Sequence, residues 1–70
     1  MMLIMEVNIE KIKRELKYRG WGIAQLAKES ELSRQVLYDI MKSKTCTLKT
    51  ISSIAIALDY DPKDLLKWYM

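Results

Sequence analysis

Histidine and phenylalanine are absent from this 70-residue chain, cysteine and proline occur once each, and glycine occurs twice. Without histidine, a Cys/His zinc site, a Cys–His dyad and a Ser–His–acid triad are all excluded within one chain, so no metal centre or enzyme of those kinds is expected. The one thiol, Cys46, has no internal disulfide partner, and the reducing cytoplasm is the natural compartment. With no phenylalanine, isoleucine, leucine and methionine must fill the core. Long hydrophobic runs are missing too. The apolar start Met1-Met2-Leu3-Ile4-Met5 is far too short to span a bilayer and lacks the basic flank and length of a secretory signal, so neither membrane insertion nor export is expected.

Seventy residues make one domain, and a chain this short buries only about 60% of its unfolded surface. Half the residues are hydrophobic, enough for one small core. Twelve basic and nine acidic residues leave a net charge of +3. That excess is mild and is not gathered into a tail; it permits a polyanionic partner without demanding one.

Hydrophobic periodicity predicts five helices and almost no loop. The first runs from about Ile9 to Arg19, with Ile9, Ile12 and Leu16 on one face, Asn8 as N-cap and Gly20 at the left-handed C-terminal position. Trp21 lies between Gly20 and Gly22; its ring is expected to pack into the core, and stacking on a ligand is the other reading. Gly22 caps the second helix, whose apolar side is Ile23, Leu26, Ala27 and Ser30. The third helix spans about Ser33 to Lys42, with Val36, Leu37 and Ile40 as its inner stripe. At 100° per residue, Arg34, Tyr38 and Lys42 point the opposite way, flanked by Gln35 and Asp39. Ser43 to Cys46 reads as a short connection. Thr47 caps a fourth helix over Leu48 to Leu58, with Leu48, Ile51, Ile54, Ala55 and Leu58 buried and Ile56 outside that stripe. Asp61-Pro62 opens the last helix, with Asp64 in its first turn and Leu65, Leu66, Trp68 and Tyr69 as its apolar bulk.

Three other features have plain explanations. The run Asp59 to Asp64 is not a calcium loop, because its sixth position is Asp64 instead of glycine and its twelfth is Met70 instead of glutamate. Cys46, near Lys44 and Lys49 in sequence, is read as a half-buried filler in preference to a redox sensor. The five methionines are read as core filling and chain ends in preference to an adaptable binding surface.

The order and spacing of Leu26-Ala27, Leu32-Ser33, Leu37, Ile40, Leu48…Ile51…Ile54-Ala55…Ala57-Leu58 and Asp61…Asp64-Leu65-Leu66 resemble the Cro/CI-type helix-turn-helix family of small phage-repressor-like DNA-binding domains. The resemblance covers roughly Ile12 to Leu66. It implies an all-α, compact five-helix bundle of the lambda-repressor-like type over residues 1–70, with the helix-turn-helix at 23–42 and an apolar N-terminal extension at 1–7. The third helix becomes the reading helix, with Ser33, Arg34, Gln35, Tyr38 and Asp39 as base-contact residues. Arg34 suits guanine, Gln35 suits adenine, and Asp39 accepts from cytosine or orients Arg34. Gly22, Ile23, Lys42, Lys44, Thr45, Thr47 and Lys49 are the implied phosphate contacts.

The chain departs from the family pattern at three places. Ile23 stands where glutamine commonly touches a phosphate, Glu31 where glycine often occupies the turn, and Ile56 where lysine is usual. The apolar surplus at Ile4, Ile56, Trp68 and Tyr69 suggests a homodimer; the alternative is that the start simply covers the core. The functional expectation is a cytoplasmic, sequence-specific transcriptional regulator of double-stranded DNA, most simply a repressor, with no cofactor. The alternative is a helix-turn-helix module that contacts a protein partner, as an antitoxin or regulator.

Overall fold

The computed structural model describes residues 4–67. Over them the chain runs strand β1 (Ile4–Glu6), helices α1 (Ile9–Arg19), α2 (Ile23–Ser30) and α3 (Arg34–Ser43), strand β2 (Thr45–Thr47), helix α4 (Leu48–Leu58) and a closing 3-10 turn (Pro62–Leu65). Trp68 and Tyr69, two of the expected dimer contacts, lie outside the described residues.

The helices begin and end where local chemistry directs. Asn8 Oδ1 accepts from the Lys11 N–H at 3.2 Å, Ser33 Oγ from Val36 at 3.1 Å and Thr47 Oγ1 from Thr50 at 3.4 Å, each satisfying a first-turn donor. All four helices close on a left-handed residue: Gly20 (φ 72°), Glu31 (φ 60°), Lys44 (φ 61°) and Asp59 (φ 60°). After α1 the N–H groups of Gly20 and Trp21 reach back to Lys17 and Leu16, and after α4 those of Asp59 and Tyr60 reach Ile56 and Ala55, the paired reversal of a Schellman ending. Three of these four residues carry a Cβ that the left-handed region penalises.

One core joins all the elements. Val7, Ile12, Leu26, Leu37, Ile51, Ile54, Leu58 and Leu65 are fully buried within it. Ser30, the one buried polar residue among those described, donates its hydroxyl to Leu26 O at 2.6 Å and so does not arrive unpaired.

The expected all-α, five-helix architecture needs correction. Among the described residues there are four α-helices, and the described part of the fifth expected helix is one 3-10 turn, with Asp61 accepting from Lys63 and Pro62 at its first position. It stops because Leu66 turns extended (φ −101°, ψ 154°) to bridge Val7. The stretch read as a connection, Ser43 to Cys46, enters β2, which pairs antiparallel with β1 in the register Ile4↔Thr47, Met5↔Cys46, Glu6↔Thr45. Within the extension 1–7, residues 4–7 are therefore laced into the fold.

Leu48 was placed on the inner stripe of α4 and is 48% exposed. Helical side chains lean toward the N-terminus, so the first residue overhangs the helix end and misses the core. Val36 is also on the surface: α3 packs against α2 and β2, and Leu37 and Ile40 fill that narrow contact. Cys46 is the filler expected, buried opposite Met5, and burial pushes its thiol pKa up, against a reactive thiolate. Trp21 is half-buried against the core.

A polar clasp not foreseen from sequence fixes α1 to the end of α4. Arg19 Nε donates to Glu15 Oε1 at 2.8 Å and Arg19 Nη2 to Leu58 O at 2.6 Å, while the Tyr60 hydroxyl donates to Glu15 Oε2 at 2.9 Å. The Lys11 ammonium stands 5.0 Å from the Tyr60 ring centroid. The hydrogen bonds from Arg19 and Tyr60 hold the Glu15 carboxyl below its ordinary pKa, and the bond to Glu15 raises that of Tyr60.

Two stability tests follow from this geometry. Glu31→Gly is expected to raise the urea midpoint, by about 0.5–1 kcal/mol in stability, because relief of the left-handed strain exceeds the entropy of a glycine. For the clasp, Glu15 is more acidic folded than unfolded, so its contribution is present above the ordinary carboxylate pKa and lost as pH falls through the folded value. Tyr60 is less acidic folded, so its contribution is present below the ordinary phenol pKa and lost as pH rises through the folded value. Tyr60→Phe should lower the urea midpoint at neutral pH and flatten both arms of the stability–pH curve.

Candidate nucleic-acid interface

Helices α2 and α3 are joined by Glu31-Leu32-Ser33. The Leu32 N–H returns to Ala27 O at 3.1 Å, and Leu32 is half-buried against the core, so the turn is held by both backbone and side chain. Leu37 and Ile40 anchor α3 inward. That fixes which side of α3 meets solvent. Arg34, Gln35, Tyr38, Asp39 and Lys42 are all exposed there, Tyr38 to 55%.

This face is partly organised. Gln35 Nε2 donates to Asp39 Oδ1 at 3.0 Å across one helical turn. Asp39 thus pairs with Gln35, and no ion pair joins it to Arg34 among the described residues. The bond uses one of two Gln35 amide hydrogens and leaves its carbonyl and the second hydrogen facing out. Arg34 and Lys42 have no ion-pair partner among the described residues. Ser33 spends its hydroxyl oxygen as acceptor on the Val36 N–H and keeps its own hydrogen to donate.

The flanks of α3 divide into free and engaged groups. Gly22, extended at φ −91° and ψ 178°, brings no side-chain acceptor to the start of α2, so the first-turn N–H groups of that helix are left for solvent or an anion. Ile23 beside it is half-buried against the core. Tyr38 borders the same groove as Gly22 and Ile23, which brings the start of α2 alongside the outward face of α3. At the other end of α3, Lys44 and Lys49 are exposed. Thr45 and Thr47 sit half-buried in β2 with their hydroxyls engaged, Thr45 with Ser43 Oγ at 3.2 Å and Thr47 with Thr50 Oγ1 at 3.1 Å.

The apolar surface lies elsewhere. Ile4 is 69% exposed and Ile56 79% exposed. Ile4 pairs with Thr47, the residue before Leu48, and Leu48, Ser52 and Ile56 follow at intervals of four along α4. These residues therefore form one line down the helix. Sequence periodicity missed Leu48 as part of it. Among the described residues no helix is long and apolar enough to cross a membrane, and no group of three or more candidate ligands is placed to hold a metal ion.

Comparison with known proteins agrees with this geometry. The model of the Cro/C1-type HTH DNA-binding domain matches residues 11–69, from within the first turn of α1 through α4 and the closing turn. No curated protein and no solved structure matches the chain. The match takes in most of the chain, and the chain belongs to the Cro/C1-type HTH DNA-binding domain family, as a DNA-binding regulator.

Proposed function

We propose that this protein is a repressor that occupies an operator with α3 in the major groove. The observation that carries the reading is the division of α3 into a buried Leu37/Ile40 side and an exposed side bearing Arg34, Gln35, Tyr38, Asp39 and Lys42. Arg34 offers two parallel N–H donors to guanine O6 and N7. Gln35, steadied by Asp39, offers its carbonyl to the adenine amino group and its free hydrogen to N7, and the second Asp39 oxygen accepts from a cytosine amino group. Ser33 and Tyr38 add hydroxyls at the near and middle parts of the helix.

Phosphates flank this footprint. On one side stand the N–H groups at the start of α2, from Ile23 after Gly22; on the other stand Lys42, Lys44 and Lys49. With the hydroxyls of Thr45 and Thr47 engaged internally, phosphate attraction falls mainly on the lysines and the α2 terminus. All 70 residues act as one domain in this reading. Two copies meet along the Ile4–Leu48–Ile56 line, with Trp68 and Tyr69 the remaining candidates. A body 32 Å in its longest dimension suits half-sites about 34 Å apart.

Selection of bound fragments from a random DNA pool, followed by affinity measurements across a salt series, tests the reading. Arg34→Ala is expected to cost about 1–3 kcal/mol and to relax preference at one base pair. Lys44→Gly removes a charge at a left-handed position that glycine prefers, so thermal stability should rise while affinity for every sequence falls and the salt slope drops by about one. Binding unchanged by both substitutions, or insensitive to salt, sinks the major-groove reading in favour of a protein-partner module. For the dimer, Ile56→Lys should shift sedimentation at micromolar concentration toward monomer and weaken binding to a two-half-site operator more than to a single half-site.

A further inference from the structure

Between α1, the turn before α2 and α3 the surface folds into a groove of about 460 Å³. That volume falls in the range of small-molecule sites, roughly 300–1,000 Å³. Leu16, Trp21, Ile23 and Met41 make its apolar floor and walls. Trp21 is a fixed wall: the Arg19 guanidinium stands 5.1 Å from its ring centroid and is itself held by Glu15 and Leu58 O. Met41, unbranched and polarizable, adapts the opposite side to the shape of an occupant.

The charge around the groove has one sign. Lys13 and Lys17 line it from successive turns of α1, both exposed, and no acidic residue lines it. Neither lysine has an ion-pair partner among the described residues. Side chains four apart leave a helix with their Cβ atoms about 6 Å from one another, so two flexible lysine stems can bring their ammonium groups to one anionic head. A cationic ligand meets only like charge here, and a neutral one leaves both ammonium groups unused.

We propose that the groove is a binding site for a small amphipathic carboxylate, an alkyl or arylalkyl acid whose head pairs with Lys13 and Lys17 and whose tail lies on Trp21, Ile23 and Met41. The same groove is bordered by Gly22 and Tyr38, so an occupant covers the start of α2 and part of the outward face of α3. Ligand and DNA therefore compete. This competition rests on the major-groove reading above, whereas the binding of the carboxylate does not.

The test titrates decanoate, with decylammonium as the charge-reversed control, into isotopically labelled full-length protein. Saturable shifts are expected at the Trp21 indole, the Ile23 and Leu16 methyls and the Met41 methyl, with Ile54 in the core unmoved. Decylammonium should bind about tenfold more weakly. The Lys13→Gln, Lys17→Gln double variant, with its thermal melt checked against the parent, should lose that preference. Absence of saturable shifts, shifts spread through the core, or equal binding of the two probes overturns the site; so do the same groove shifts appearing with protein concentration alone, which assign the groove to a second copy. In a separate arm, decanoate should release selected DNA in proportion to its occupancy of the groove. Undiminished DNA affinity at full occupancy overturns the competition, and failure of the protein to bind any DNA fails the major-groove reading while the titration still decides the site.

Discussion

Val7 donates its N–H to Lys44 O at 2.9 Å, and the residues on either side complete the tie: Glu6 O accepts from Lys67 at 3.0 Å, and Asn8 N donates to Leu65 O at 2.8 Å. The Val7 side chain is fully buried. A single extended turn of chain thus joins the end of α3, the start of α1 and the closing segment. The backbone groups it satisfies lie against a core with little room for unpaired donors. The position of α3 depends on this tie, because Lys44 is its C-terminal cap and the chain continues from it straight into β2 and α4. Were it loosened, α3 would keep its contact with α2 but lose the clamp at its other end.

Much of this was legible in the residues. Apolar spacing located α1, α3 and α4 to within a residue, and Asn8 and Thr47 announced the caps of α1 and α4, because a cap depends on one side chain and its nearest backbone. Glu31 at the left-handed turn was readable only through the family pattern, which often places glycine there. The strands were not. Three residues carry too little alternation to distinguish pairing from a loop, although Thr45-Cys46-Thr47, with two β-branched residues flanking a buried one, held a faint version of the signal. The missing fifth helix has a nonlocal cause: Leu66 leaves the helical region to bridge Val7, nearly the whole chain away.

The outward face of α3 was legible from the helical wheel alone, since knowing that Leu37 and Ile40 point inward fixes where Arg34, Tyr38 and Lys42 point. Its internal wiring was less so. Gln35 and Asp39 are four apart and their bond is local, yet Arg34 stood at a similar spacing from other acceptors, and only geometry chose the pair. The Glu15–Arg19–Tyr60 clasp lay beyond sequence because Tyr60 is 45 residues from Glu15 and meets it only when α1 and α4 pack. The groove is nonlocal in the same way: Lys13, Ile23 and Met41 come from three helices and Trp21 from the turn between the first two.

Ile23 joins these observations. A glutamine at this position would extend a polar side chain toward a phosphate; an isoleucine instead lies half-buried and becomes a wall of the groove. On the proposed major-groove reading, the isoleucine forgoes one hydrogen bond to DNA, worth about 0.5–1.5 kcal/mol net, and it supplies apolar surface beside Lys13 and Lys17. It also leaves the N–H groups of α2 as the anion-binding element at that end, with no side chain to fix an oxygen's position. On the proposed reading, binding at the α2 terminus would be more electrostatic and less geometric than at α3, where Arg34, Gln35 and Asp39 stand on one helix. On that reading, affinity for any duplex and preference for one sequence would therefore reside on different elements of the fold. On the two proposals together, a ligand seated against Ile23 and Tyr38 would bear on both elements, because the groove borders the start of α2 and the outward face of α3.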